Sequence, residues 1–161
     1  MRMEGLEILY PGRKDEELLA EAARLWKAFY DDMSLNGLML PLAEGGEEVW
    51  KDAIGPSLGR VNHLVLLRSE GTIVGLALGT LRLLPEYLGS KLIGFVSGVY
   101  IDPAHRRSGM GGLLYEELEK WFREKEVDSY ELQVLTGNPG AIAFWEALGY
   151  RSELLQMRKF N

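Results

Sequence analysis

The chain has 161 residues, enough for one domain with a sizeable core, and its 47% hydrophobic and 26% charged content is that of an ordinary globular protein. It has no cysteine and only two histidines, which excludes disulfides, thiolate catalysis and cysteine metal sites and argues against a histidine-rich metal centre. A formal net charge of −6 argues against nucleic acid as a partner and favours cationic substrates.

The opening "MRMEGLEILYPG" lacks the apolar core of a signal peptide, and the longest apolar run, 73–81, is too short for a bilayer and stops at Arg82. The expectation is a single domain, 1–161, in the cytoplasm, with no membrane partner. "LEILY" (6–10) reads as a first strand closed by Pro11-Gly12. Asp15 then offers a helix N-cap, with Glu16 and Glu17 in the first turn. Leu18, Ala22, Leu25, Phe29 and Met33 follow at helical spacing, predicting a helix over 16–33 with one buried stripe. Residues 34–46 break it as a loop, and "EEVWKDAIGPSLGR" carries a short second helix ended near Gly55-Pro56.

The period then changes. "HLVLLRSEGTIVGLALGTLRLLP" predicts two strands about a turn at Glu70-Gly71, and "PEYLGSK" turns the chain into "LIGFVSGVYID". That run is apolar on both faces, as a central strand should be, with Ile93, Phe95, Ser97, Val99 and Ile101 on one of them. Met110, Leu113, Leu114, Leu118, Trp121 and Phe122 form the stripe of a third helix. "SYELQVL" (129–135) is a strand, "NPGAIAFWEAL" (138–148) a helix stopped by Gly149, and "YRSELLQMRKF" a closing strand. The predicted order is β-α-α-β-β-β-α-β-α-β, an α/β fold with a mixed sheet and helices on both faces.

Chemistry concentrates in "IDPAHRRSGMGGLL" (101–114), where three glycines follow two arginines between a strand and a helix. The first turn of a helix has N–H groups without intrahelical partners, and the helix dipole adds about half a positive charge there. Glycine lets a phosphate approach those groups, and Arg106 and Arg107 supply charged donors beside them. A Walker A loop is absent, because no glycine precedes Lys-Ser/Thr; the dinucleotide fingerprint fails at Leu114. What remains is Arg106-x-x-Gly109-x-Gly111 after "VYIDP", or else a sharp turn whose glycines only relieve crowding.

With "VYIDPAHRRSGMGGLL" followed after one helix and one strand by "NPGAIAFWEALGY", the sequence resembles the GNAT superfamily of acetyl-CoA-dependent N-acetyltransferases. The resemblance implies that family's fold, an acyl-CoA N-acyltransferase with a mixed, mostly antiparallel central sheet. It implies acetyl-CoA as cosubstrate, no metal, and direct attack by an amine in a ternary complex. The N–H groups of Arg107, Ser108, Gly109, Met110, Gly111 and Gly112 would hold the coenzyme pyrophosphate, with Arg106 beside them. The backbone of Val99, Tyr100 and Ile101 would pair with the pantetheine arm, and Ser97-Gly98 would form a bulge. Asn138 would bond the pantetheine or cap the last helix; Phe144 and Trp145 would line the thiol end or pack as core. An alternative is a GNAT-like domain that binds acyl-CoA without catalysis, and a third is an interaction domain with no cofactor.

Two departures from the family pattern bear on catalysis. Trp145 stands where the family often has a tyrosine that protonates the leaving thiolate, which indole cannot do. No Asp, Glu or His lies between Glu86 and Asp102, so the central-strand glutamate of many relatives is missing. An alkylamine of pKa about 10 is only about 0.1% neutral at pH 7, so its proton needs a route out. Asp31, Asp32, Glu44 and Glu86 are candidate bases, each also readable as a solvated carboxylate that attracts a cation. Tyr100 is a candidate proton donor, and a backbone N–H near Val99 or Tyr100 the candidate oxyanion donor. His63 and His105 are not chosen. The acceptor is a small cationic molecule or a protein amine, and a homodimer is left open.

Overall fold

A computed structural model describes residues 4–161 of the chain. The elements are β1 (Leu6–Leu9), α1 (Glu16–Leu35), α2 (Gly46–Ile54), β2 (Asn62–Ser69), β3 (Thr72–Leu83), β4 (Leu92–Ile101), α3 (Met110–Glu124), β5 (Ser129–Leu132) and α4 (Pro139–Ala147). Five strands form one sheet in the order β1-β2-β3-β4-β5. Every neighbour pair is antiparallel except β4–β5, which is parallel. The chain crosses over from β4 to β5 through α3, as a parallel pair requires. This is the mixed, mostly antiparallel sheet expected from the sequence.

Helices cover both faces, so the sheet carries two cores. Val65, Leu67, Val74, Ala77 and Val96 pack under Leu114, Leu118 and Phe122 of α3. Leu64, Leu66, Leu76, Leu78 and Tyr100 pack under Leu19, Ala22, Leu25 and Trp26 of α1, with Ile54 of α2. The buried stripe of α1 includes Leu19, Ala23 and Trp26, while Leu18, Phe29 and Met33 of the predicted stripe are only half-buried. Trp26 turns in because it stacks on Trp50 of α2, with ring centroids 4.4 Å apart. Asp15 precedes α1, but its carboxylate caps nothing in the helix; it accepts from the Gly12 N–H at 2.7 Å.

Two glycines admit α3 to the sheet. A β-carbon at Gly94 would lie 2.8 Å from the Phe122 ring, and one at Gly79 would lie 2.9 Å from it. The ring therefore rests directly on backbone. Beside Phe122, at Glu117 and Trp121, α3 is held by a second set of contacts. Tyr10, just past β1, stacks on His63, which stacks on Trp121, with centroids 5.6 and 5.0 Å apart. The Tyr10 hydroxyl donates to Glu117 Oε2 at 2.5 Å, and Lys120 reaches Glu117 Oε1 at 2.5 Å. Lys120 and Tyr10 hold the Glu117 carboxyl below its usual range, while burial and that carboxylate push the Tyr10 phenol up to about 12. His63 is pushed down by burial between its two rings.

Two expectations about strands are corrected. In β4 the register against β3 slips between Leu78 and Gly79, leaving Ser97 as an extra residue between Val96 and Gly98. The bulge reverses the alternation, so Phe95 and Ile101 do not share a face. A β-carbon at Gly98 would strike Phe29 and Trp26 of α1, whereas Val96 and Ile101 pack toward α3. The second correction concerns the C-terminus. Residues 151–161 form no strand, and Leu154, Leu155, Met157 and Phe160 are 60–91% exposed. An apolar pattern specifies a strand only where a neighbouring edge takes up its N–H and C=O groups. β5 ends at Leu132, and the tail does not return to it. Among the described residues, no helix is long and apolar enough to cross a membrane.

Candidate active site

β4 pairs with β5 only from Ile93 to Val96, so from Ser97 to Ile101 it is bonded on the β3 side alone. The two parallel strands part at the bulge, and the candidate pantetheine-binding residues Val99, Tyr100 and Ile101 lie on this half-open stretch. The chain leaves Ile101 through a short 3-10 turn, Pro103–His105, in which the Ala104 N–H donates to the Asp102 carboxylate. It then enters α3 through two left-handed residues, Arg107 (φ 63°) and Gly109 (φ 80°). A left-handed arginine costs about 1–2 kcal/mol, a strain of the kind found where backbone groups are aimed at a ligand. Ser108 Oγ donates to the His105 carbonyl at 2.6 Å and ties the turn together.

Gly111 and Gly112 occupy the first turn of α3, where glycine is worth about 1 kcal/mol less than alanine. Packing does not demand them. A β-carbon at Gly111 would make ordinary contact with the Phe144 ring at 3.6 Å, and one at Gly112 would meet nothing within 4 Å. The space beside Gly112 is open, and the first turn of the helix has N–H groups without intrahelical partners.

The two arginines differ. Arg107 is exposed beside the turn. Arg106 points back: its Nε donates to the Ile101 carbonyl at 2.9 Å, and its guanidinium lies 5.4 Å from the Tyr100 ring and 3.5 Å from Asp32. The fold thus gathers the two candidate catalytic residues, Tyr100 and Asp32, around one guanidinium. Tyr100 is 7% exposed and packs against Phe29 of α1; burial pushes its phenol up, so it remains protonated at neutral pH. Asp31 faces away and pairs with Lys27. Next to Asp32, the last turn of α1 meets the β5–α4 loop, where a β-carbon at Gly137 would run into the Asn36 carbonyl.

α4 lies beside the first turns of α3. Asn138 caps it, accepting from the Ala141 N–H at 3.1 Å, which is one of the two roles its position allowed. Phe144 reaches over Gly111. Trp145 stands edge-on to Tyr115 and Tyr150, with centroids 5.5 Å from each, and the two phenols are 2.9 Å apart. Trp145 is therefore wedged between tyrosines of α3 and the C-terminal segment. His105, in the 3-10 turn, has its Nδ1 3.7 Å from the Asp102 carboxylate. Among the described residues, no three His, Cys, Asp or Glu side chains gather as a metal site.

One polar feature escaped the sequence reading. Ser57, Asn62, Thr80 and Ser97 form a continuous side-chain chain across the sheet, ending at the β4 bulge. The visible signal was two hydroxyls, Thr80 and Ser97, inside otherwise apolar strands.

Comparison with known proteins agrees with this layout. Residues 22–150 match the acetyltransferase (GNAT) family. Glucosamine 6-phosphate N-acetyltransferase of Trypanosoma brucei brucei is 31% identical over 101 residues, 62% of this chain; the match spans 65% of that protein's length, just under two thirds. Aminoglycoside N(6')-acetyltransferase type 1 of Acinetobacter haemolyticus is 24% identical over 115 residues, covering 65% of this chain and 78% of that protein. Among solved structures, the aminoglycoside N-acetyltransferase AAC(6')-Iy in complex with CoA superposes with a TM-score of 0.75 at 16% identity, covering 99% of both chains. That likeness is one of fold.

Proposed function

Because this chain belongs to the acetyltransferase (GNAT) family, we propose that it transfers an acetyl group from acetyl-CoA to a primary amine, by direct attack with both substrates bound. The observation that carries the reading is the first turn of α3. Two costly glycines that packing does not demand, Gly112 with open space beside it, follow two left-handed residues, beside a strand edge that has lost its neighbour. In this reading the N–H groups of Arg107 to Gly112 receive the pyrophosphate, and the edge from Ser97 to Ile101 orients the pantetheine arm. Asn138, Phe144 and Trp145 close the α4 side of the cleft. Acetyl-CoA supplies an activated thioester; the chain supplies position and hydrogen bonds.

Residue roles follow from the surroundings of each group. Arg106 braces the end of β4 through Ile101 and pairs with Asp32, whose carboxylate at the cleft attracts a cationic amine. Tyr100, kept protonated, is the candidate proton donor to the departing thiolate in place of the phenol that Trp145 lacks. The two sequence relatives are named for acceptors that are amino sugars, which supports a small amine of that class over a protein amine. The test is thiol release from acetyl-CoA with a panel of glucosamine 6-phosphate, neamine, spermidine and a peptide with a free N-terminus. Amine-dependent release is expected with an amino sugar. Tight acetyl-CoA binding without release for any amine would replace this reading by a non-catalytic binder.

A homodimer completes the proposal. The exposed tail, residues 151–161, carries three basic residues and one acidic one, while β5 has Asp128 just before it and Glu131 within it. Its four exposed apolar side chains and the free outer edge of β5 support exchange of tails between two copies. Deleting residues 151–161 is expected to convert a dimer to a monomer in sedimentation equilibrium at micromolar concentration. A monomeric parent would dismiss the dimer.

A further inference from the structure

The polar chain that ends at the bulge has a fixed direction. Ser57 Oγ donates to the Ile54 carbonyl at 2.9 Å, and a carbonyl can only accept, so the single Ser57 proton is committed. Ser57 Oγ must then accept from Asn62 Nδ2, 2.6 Å away. This orients the Asn62 amide and turns its Oδ1 toward Thr80, whose hydroxyl donates to it at 2.6 Å. With the Thr80 proton used, the 2.8 Å contact between Thr80 Oγ1 and Ser97 Oγ leaves Ser97 as the donor. Each hydroxyl proton points away from the bulge, and Ser97 offers the cleft lone pairs only.

The location matters as much as the direction. Ser97 is the inserted residue of β4, half-buried, at the point where β5 leaves. From Ser97 to Ile101 the free edge runs about 13 Å at strand rise, so an arm that starts at the α3 N-terminus and follows it ends beside Ser97. No Asp, Glu or His occupies β4. The side-chain acceptor that β4 offers at the end of that edge is therefore a neutral hydroxyl.

We propose that Ser97 is an acceptor-binding residue, taking an N–H of the substrate amine on its lone pairs, and that Thr80 is the positioning residue that keeps its proton turned away. The proposal rests on the acetyl-transfer reading above and names the group that orients the amine within it. A neutral acceptor favours a donor-rich amine and gives nothing to a substituent that can only accept. Asn62 and Ser57 act through Thr80, by making it a donor in one direction.

The experiment compares the parent with Ser97→Ala, Thr80→Val and Thr80→Ser. Neamine and glucosamine 6-phosphate are titrated into each protein saturated with CoA, acetyl-CoA is titrated separately, and kcat and KM are read from thiol release. Ser97→Ala is expected to weaken amine binding about tenfold, the worth of one hydrogen bond to a charged or polar partner. Thr80→Val should weaken it severalfold by freeing the Ser97 proton to compete, and Thr80→Ser should restore it. Acetyl-CoA affinity should stay within twofold throughout. Equal amine binding by the parent and Ser97→Ala overturns the proposal, as does an equal loss of acetyl-CoA affinity in all three variants. Thiol release by the parent tests the transfer reading separately: an amine that binds through Ser97 without release would sink that reading and leave the Ser97 assignment standing.

Discussion

Gly112→Val is expected to melt no lower than the parent and to bind acetyl-CoA about a hundredfold more weakly. The stability side follows from helix propensity: glycine in a helix costs about 1 kcal/mol relative to alanine, and valine recovers part of it. Nothing stands within 4 Å of a β-carbon at this position, so no packing strain offsets the gain. The binding side follows from the free N–H groups of the first turn, whose bonds to an anion are worth about 1.5–3 kcal/mol each. An isopropyl group over them holds a pyrophosphate away, and the loss of one to two such bonds is about two decades of affinity. Gly111→Val tests the same cradle less cleanly, because its side chain also presses on Phe144. Calorimetry with acetyl-CoA and a thermal melt decide the matter; unchanged affinity would move the phosphate site elsewhere.

The second large effect belongs to the core. Gly94→Ala places a methyl group 2.8 Å from Cγ and Cδ1 of Phe122, a side chain with no exposed surface. Overpacking of this kind costs about 1–3 kcal/mol, because a ring pinned between α3 and backbone cannot swing aside. For a chain of this size that is a fall in Tm of about 3–10 °C. Phe122→Leu alone leaves a void and is also destabilising. Combined, the two should cost less than their sum, since the smaller side chain makes room for the methyl. Urea denaturation of the four members of the cycle measures the coupling, and simple additivity would show that Phe122 does not rest on Gly94.

Much of this was legible in the sequence, for reasons that also mark the limits. The turn at Glu70-Gly71, the long strands on either side of 85–91 and the α3 stripe are local patterns, and the structure keeps them. The alternation along β4 misled because one inserted residue, Ser97, exchanges every face beyond it. The closing strand misled because "ELLQM" has the pattern of a strand but does not pair with the outer edge of β5. At the candidate site, the glycines and Asn138 announced themselves by spacing. The meeting of Asp32 with Arg106, and the wedging of Trp145 between Tyr115 and Tyr150, depend on elements far apart in the chain. No window of sequence contains them.

The clamp of Tyr10, His63, Trp121 and Glu117 has a mechanical consequence. α3 has 15 residues, so it is a rod about 22 Å long, gripped by this clamp between its middle and its last turn and carrying the candidate phosphate cradle at its start. Such a rod is a lever: a tilt of about 5° at the grip moves the cradle, about 10–16 Å away, by about 1 Å. Misplacement of about 1 Å is enough to cost roughly a hundredfold in a reaction that depends on aligned groups. Tyr10, just past the first strand, thus helps set the aim of the helix that carries the candidate cradle.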